Sequence, residues 1–265
     1  MAAAFRQQLA KCFESDSRRI LRECQARRDT SSFTAQLDAT LKDSHNMRVF
    51  GVGTLASMAS RARYARFTAS MLHVYSAMEA ELDLCSPSKA AAVHQLWEKH
   101  EATLRRRKAL EADLQDVAAE LPDGGQKATP RTQEYVDAIR AAAQDDRSSG
   151  GIRLLSHVYC RYFADLFGGQ MLAAPYRIAL DLQAQTPRHY SFDFQDGNRQ
   201  DLILAIYNDL SHAGDMVSPD AQSQAVQECR SAFHHNVQVF SEEPYVMDAA
   251  KASCNVVTGF FRGRR

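Results

Sequence analysis

Apolar residues recur at the spacing of an α-helix along almost the whole chain, and only seven prolines interrupt the pattern. Thr129 and Ser218 each precede a proline, which is typical of a helix N-cap. The segment 189–194 alternates aromatic and polar residues and is interpreted as a connecting loop. The sequence therefore predicts an all-α fold, a single-domain helical bundle with short connections. Helices are predicted at about 5–27, 32–46, 60–83, 88–119, 131–144, 150–183, 199–214, 219–241 and 244–258.

The charges balance, with 32 Lys and Arg residues against 32 Asp and Glu residues, so no global field attracts the chain to nucleic acid. Six cysteines are scattered without a CxxC pair, which is typical of reduced intracellular thiols. No apolar run reaches the roughly 20 residues that cross a bilayer, so no transmembrane anchor is expected. The sequence predicts a soluble intracellular protein without a nucleic-acid partner, and its compartment stays open among cytoplasm, mitochondrion and plastid.

Two adjacent glycines, Gly168 and Gly169, stand in the middle of the predicted helix 150–183. A glycine inside a helix costs roughly 1 kcal/mol relative to alanine. One explanation is a kink or a tight contact in which any side chain would clash. The other is a bulky ligand that lies against the two glycines. Both explanations place a neighbouring group close to this backbone.

Arg161 and Asp165 lie four residues apart on the same predicted helix. This spacing predicts an ion pair on one face of the helix. Asp165 also comes one turn before Gly168, so its carboxylate would face any ligand that lies against the glycines. There it could organise water and pass protons.

Isolated residues give few other candidates for chemistry, because no P-loop, HExxH motif or nucleophile elbow is present. His45 comes one helical turn after an amphipathic run, which places it on the buried face near a helix end. Glu79 and Glu81 are interpreted as part of a solvated face. His234 and His235 are adjacent and cannot both point from one helix face, so metal binding is not expected there.

The stretch Tyr159-Cys-Arg-Tyr-Phe-Ala-Asp-Leu-Phe-Gly-Gly-Gln170 resembles the distal-helix signature of the heme oxygenases. The segment Lys42-Asp-Ser-His45 resembles the end of the family's first core helix, whose histidine is the axial heme ligand. The resemblance covers about residues 32 to 241. Further segments that resemble the family, in the family's order, are 71–83, 107–114, 129–136 and 231–240.

This resemblance implies a heme oxygenase-like fold and an enzyme that opens heme oxidatively to biliverdin, carbon monoxide and ferrous iron. Heme would be both cofactor and substrate, and a reductase or ferredoxin would supply electrons. His45 would be the axial ligand of the heme iron. Asp165, supported by Arg161 and Tyr159, would organise the water that delivers protons to the reacting oxygen.

The resemblance also implies which other residues contact heme. Gly168 and Gly169 would let the distal helix lie almost on the porphyrin, and Tyr207 and Phe233 would belong to the heme-binding site. Three regions follow from it. They are a basic helical extension at 1–31, the heme oxygenase-like domain at 32–241, and a C-terminal helix with a basic tail at 242–265. The extension would serve targeting or dock a protein partner, although its acidic residues argue against a transit peptide.

Several positions depart from the pattern of the family's animal members. Asp38 stands where those members carry a lysine, and Leu204 and Asn208 stand where basic side chains hold the heme propionates. Val49 replaces a glutamate that supports the axial histidine, and Phe167 replaces a small residue beside the glycines. These departures favour an alternative: a non-catalytic protein of the heme oxygenase fold, acting as a scaffold, binding module or heme carrier.

Overall fold

The computed structural model describes residues 32–42, 52–121, 126–194, 197–242 and 246–262. Within these ranges the chain is helical and contains no strand, which confirms the all-α prediction. Its longer helices are α1 (Phe33–Lys42), α2 (Arg61–Asp83), α3 (Ala91–Leu104), α4 (Arg107–Asp116), α5 (Pro130–Ser149), α6 (Leu154–Ala164), α7 (Gln170–Leu180), α8 (Arg199–Asp215), α9 (Pro219–Ser241) and α10 (Val246–Arg262). Shorter turns are the 3₁₀ turns Ala118–Glu120 and Arg188–Tyr190 and the π-helical turn Asp165–Gly169.

The helices pack around one main hydrophobic core. Helix α2 packs against α4 and α5, while α9 packs against α1, α5 and α6, and α8 packs against α1 and α3. Helix α10 packs against α7, where a second cluster of buried residues forms. This arrangement surrounds α6 with α2, α5 and α9. Members of the second cluster include Met58, Tyr64, Tyr176, Leu180, Tyr190 and Ala252.

Two helix starts follow the predicted capping pattern. The hydroxyl of Thr129 accepts a hydrogen bond from the backbone N–H of Thr132 at 3.2 Å, and that of Ser218 accepts from the N–H of Ala221 at 3.3 Å. These bonds satisfy amide groups that have no partner inside the helix. Helix α5 runs beyond its predicted end, to the residue before Gly150. That glycine has a positive φ of 76°, a conformation that favours glycine and ends the helix.

The predicted helix 88–119 is wrong, because α3 ends at Leu104 and α4 begins at Arg107. The reason is a contact from another helix. Oε1 of Glu79 accepts hydrogen bonds from the backbone N–H groups of Arg106, at 2.6 Å, and Arg107, at 3.1 Å. Glu79 is buried, so its interpretation as a solvated residue is also wrong. Its carboxylate caps α4 from α2.

Candidate functional site

The predicted helix 150–183 is three consecutive segments in the structure: α6, a π-helical turn and α7. The start of α6 is fixed from α5, where the carboxylate of Asp146 accepts from the backbone N–H groups of Arg153, at 2.8 Å, and Leu154, at 2.7 Å. Asp146 is fully buried, and burial raises the pKa of its carboxyl to about 6. The π-helical turn comes next and contains both glycines. Such turns insert one residue into a helix and change the direction of its side chains.

Gly169 has a close neighbour in the protein itself. A Cβ built at Gly169 would lie 2.4 Å from Cδ1 of Tyr190, far inside van der Waals contact. A tight internal contact therefore explains the absence of a side chain at this position. Gly168 is half-buried, so part of its backbone is accessible. The ligand explanation stays a prediction for Gly168.

Asp165 begins the π-helical turn and is 3% exposed. The hydroxyl of Tyr75 on α2 donates a hydrogen bond to its Oδ2. Its Oδ1 lies 3.7 Å from Nη2 of Arg161, which matches the ion pair that the spacing predicts. Burial raises the pKa of Tyr75 well above its ordinary value, so this phenol keeps its proton and stays a donor.

Arg161 is as deeply buried as Asp165. Its Nη1 donates to Oδ1 of Asn236 on α9 at 2.8 Å, and its guanidinium lies 5.3 Å from the centroid of the Tyr75 ring. Its Nε is buried, and no group of the described residues accepts a hydrogen bond from it. A buried donor of this kind is usually satisfied by an ordered water molecule.

Tyr159 lies apart from this polar group, at the side of α6 that faces α1. Its hydroxyl donates to Oδ1 of Asp38 at 2.6 Å, and the hydroxyl of Tyr207 donates to the same oxygen at 2.8 Å. Asp38 is 5% exposed. The buried carboxylate of Asp38 thus accepts hydrogen bonds from two phenols. We call the group of Asp38, Tyr159 and Tyr207 the Asp38 corner.

Aromatic rings surround the Asp38 corner. The ring of Phe233 meets Tyr159 edge-on at 6.5 Å, and Phe163 meets Tyr207 edge-on at 4.7 Å. Phe167 is partly buried and packs on Phe163, with ring centroids 5.8 Å apart. The structure therefore directs Phe167 into this aromatic group.

Two residues of the polar group around Asp165 were missed by reasoning from the sequence. Tyr75 and Asn236 lie in segments that resemble the family, but neither has a spacing relationship to Asp165 along the chain. They meet Asp165 and Arg161 because α2 and α9 pack on either side of α6. The sequence offers one local signal for Tyr75. It lies one turn before Glu79, so the two polar side chains share one face of α2.

The structure describes only some of the remaining residues that were predicted to contact heme. His45 and Val49 lie outside the described residues, so the axial-ligand prediction is not tested. Leu204 is half-buried and Asn208 is exposed. Over the part of the chain that is described, no group of three or more His, Cys, Asp or Glu residues is arranged to hold a metal ion. No helix in that part is long and apolar enough to cross a membrane.

The chain matches proteins of known family over most of its length. The sequence model of the Heme oxygenase family matches residues 31–242. Heme oxygenase 2 of Rattus norvegicus is 31% identical over 177 residues, which are 66% of this chain and 53% of that protein. Heme oxygenase 1 of Homo sapiens is 26% identical over 209 residues, which are 79% of this chain and 68% of that protein. The match thus spans about half the length of the rat protein.

Solved structures show the same fold. Heme oxygenase-1 from the cyanobacterium Synechocystis, crystallised in complex with heme, is 25% identical with a TM-score of 0.62, and the match covers 80% of this chain and 91% of that chain. Heme oxygenase from Leptospira interrogans is 27% identical with a TM-score of 0.58, covering 84% of this chain and 98% of that chain.

Proposed function

Because the chain belongs to the heme oxygenase family, we propose that it binds heme and opens the ring oxidatively to biliverdin, carbon monoxide and ferrous iron. Dioxygen and an external electron donor, a reductase or a ferredoxin, are the co-reactants. The observation that carries the proposal is a buried polar group: Arg161 and Asp165 lie on the segment with the family's distal signature, and Tyr75 of α2 donates to Asp165. Heme supplies the iron at which oxygen is activated and is also the molecule that is opened.

The distal residues fit a heme-binding site that needs proton delivery. Nε of Arg161 is a buried donor without an acceptor among the described residues. Oδ1 of Asp165 lies 3.7 Å from the Arg161 guanidinium, beyond hydrogen-bond distance, and can accept from water. A donor and an acceptor side by side in a buried place can fix an ordered water molecule.

Tyr75 supports the role of Asp165 in this proposal. Its O–H occupies Oδ2, so the carboxylate cannot rotate freely and presents Oδ1 to the water. The guanidinium of Arg161 lies beside this carboxylate, with Nη2 3.7 Å from Oδ1. Asp165 can then accept a proton from one side of the site and pass it to the other, which is the task of a general acid–base group.

The heme contacts themselves rest on the resemblance. We assign His45 as the axial ligand, Gly168 as the backbone nearest the ring, and Tyr207 and Phe233 as contacts at its edge. His45 follows α1, and α1 packs against α8 and α9, which carry Tyr207 and Phe233. The packing of α1 against α8 and α9 supports a heme site that includes the end of α1, Tyr207 and Phe233.

A non-catalytic role is the second candidate, and the Asp38 corner favours it. The two phenol groups that could hold a ligand carboxylate already donate to Asp38, and Phe167 packs into the same aromatic group. On this alternative the chain is a scaffold or binding module, or it carries heme without turnover. In either role residues 1–31 would dock a protein partner or direct the chain to a compartment.

A heme titration followed by a turnover assay separates these functions. Heme added to the purified protein should give a Soret band, and a reductant with oxygen should then yield biliverdin. A stable Soret band without biliverdin indicates a carrier, and no band indicates a scaffold. His45→Ala should abolish or shift the band. His73→Ala, at a partly exposed histidine whose ring bonds to the carbonyl of Gln126, is the matched control.

Asp165→Asn tests proton delivery separately from binding. The variant should bind heme as the native protein does and lose turnover by about 10²-fold, since positioned acid–base groups contribute about 10²–10⁴-fold. Normal turnover in Asp165→Asn would remove Asp165 from the mechanism. Normal heme binding by His45→Ala would remove His45 as the ligand.

A further inference from the structure

The ring of Tyr190 lies against the backbone of Gly169, where a side chain at 169 would be. A Cβ there would lie 2.4 Å from Cδ1 and 2.9 Å from Cε1 of Tyr190. Tyr190 is 4% exposed and stacks on Tyr176 of α7, with ring centroids 6.0 Å apart. Since a packed ring cannot yield as the end of a flexible side chain can, it limits movement of the π-helical turn toward it.

The turn that carries Tyr190 is fixed to α4 by the fully buried carboxylate of Asp113. Asp113 accepts hydrogen bonds from the backbone N–H groups of Arg188, at 2.7 Å, and His189, at 3.0 Å. It also accepts from Nη1 of Arg188 at 3.1 Å and lies 2.8 Å from Nδ1 of His189. Breaking these contacts would leave a buried carboxylate unsatisfied, so the turn has a defined position.

Arg106, at the start of α4, holds the segment that follows Tyr190. Its Nη1 donates to the carbonyl oxygen of Ser191 at 2.6 Å. Its guanidinium also lies 4.0 Å from the centroid of the Phe192 ring. The chain on both sides of Tyr190 is therefore anchored to α4.

Helix α4 is in turn fixed by α2. Glu79 accepts from the backbone N–H of Arg106, and Tyr75, one turn earlier on α2, donates to Asp165. Helix α2 therefore controls Asp165 by two routes. Tyr75 orients the carboxylate directly through its hydrogen bond. Helix α4 fixes the position of the Tyr190 ring, which lies on Gly169 at the other end of the same five-residue turn.

We propose that Tyr190 is a positioning residue for proton delivery: its ring against Gly169 fixes the π-helical turn and so the place of the Asp165 carboxylate. Tyr190 acts through the backbone of the turn and not through its hydroxyl. The inference rests on the proposed function, because it assumes that Asp165 delivers protons to bound heme. On this proposal the packing of the ring matters and the phenol hydroxyl does not.

Two variants test this separation. Tyr190→Ala removes the ring, and Tyr190→Phe keeps it while removing the hydroxyl. The first measurement is amide hydrogen exchange of the heme-free protein. Exchange over residues 165–169 should become roughly tenfold faster in Tyr190→Ala, should stay native in Tyr190→Phe, and should be unchanged over 225–235 of α9 in both. If Tyr190→Ala does not fold, Tyr190→Leu replaces it, since Leu fills part of the space but cannot reach as far as the ring.

The second measurement is the pH profile of heme turnover. Tyr190→Ala should shift the profile, and Tyr190→Phe should not, because only the first releases the turn that positions Asp165. Native exchange rates at 165–169 in Tyr190→Ala would overturn the inference. Faster exchange with an unchanged pH profile would also overturn it, because a residue with a purely structural role would give that result. A native protein that shows no Soret band with heme would instead overturn the proposed function, while the exchange data would still report the contact.

Discussion

The hydroxyl of Tyr75 donates a hydrogen bond to Oδ2 of Asp165 and so joins α2 to the π-helical turn. Both side chains are buried. A hydrogen bond to a charged group contributes about 1.5–3 kcal/mol, and it also fixes the orientation of the acceptor. The carboxylate proposed to deliver protons is therefore oriented from a helix that is distant in the sequence.

We expect Tyr75→Phe to lower the free energy of unfolding by about 1.5–3 kcal/mol, because it removes this bond without changing the ring. Denaturant unfolding measures the loss. Tyr162→Phe is the matched control, since its hydroxyl lies 3.5 Å from Oε1 of Glu79, at the limit of a hydrogen bond. Equal losses in the two variants would contradict a special role for the Tyr75 bond.

Glu79→Ala should also destabilise the protein, by about 1–3 kcal/mol, because the buried backbone N–H of Arg106 and the partly buried one of Arg107 lose their acceptor. Glu79→Gln keeps a carbonyl acceptor and should cost less. Glu111→Ala, which removes an exposed ion pair with Arg107 on α4, should change the free energy of unfolding by less than about 1 kcal/mol. A loss in Glu111→Ala as large as in Glu79→Ala would show that the cap is not the cause.

The parts of the fold that depend on neighbours in sequence could be predicted from the sequence. Helices α2 and α9 lie within a residue of their predicted limits, 60–83 and 219–241, because apolar periodicity and an N-cap define them locally. The ion pair of Arg161 and Asp165 is local in the same sense. Each of these features is set within a few residues of chain.

The features that could not be predicted from the sequence depend on contacts between segments that are distant along the chain. The break between α3 and α4 requires Glu79, whose carboxylate comes from α2. The contact that explains Gly169 requires Tyr190, which lies beyond α7 in a segment predicted only as a connecting loop. Helical spacing predicts which residues share one face of a helix. It does not predict which other helix will pack against that face.

Asp146 should make stability depend on pH between about 4 and 6. Burial raises the pKa of its carboxyl from 3.8 to about 6 in the folded state. The unfolded state loses its proton first as the pH rises, so the folded state binds more protons in this window and the free energy of unfolding falls. The loss should be about 2–3 kcal/mol.

Unfolding of the native protein, of Asp146→Asn and of Asp145→Asn at several pH values measures this effect. Asp146→Asn has no carboxyl to titrate and should lack this part of the pH slope. Asp145→Asn leaves Asp146 in place and should keep most of the slope, because burial, and not the charge of Asp145, is the main cause of the raised pKa. The same slope in Asp146→Asn as in the native protein would contradict the assignment.

The Asp38 corner should weaken the binding of a ligand that brings a carboxylate to it. Asp38 is a buried carboxylate, and Tyr159 and Tyr207 both donate to it. Asp38→Asn keeps Oδ1 as an acceptor for both tyrosines and removes the carboxylate charge. We expect it to tighten heme binding by about fivefold, the effect of ~1 kcal/mol of removed charge repulsion.

Heme dimethyl ester separates charge from shape, because it has the same ring without ionised propionates. Its affinity should be the same for the native protein and for Asp38→Asn, since no like charges meet in either complex. Asp209→Asn, which removes a carboxylate that contacts His100 and Lys99 away from the corner, should leave both affinities unchanged. If Asp38→Asn tightens the ester as much as heme, the cause is a change of packing at the corner. If it tightens neither, the propionates bind elsewhere, and Asp38 serves only to join α1 to α6 and α8 through the two tyrosines.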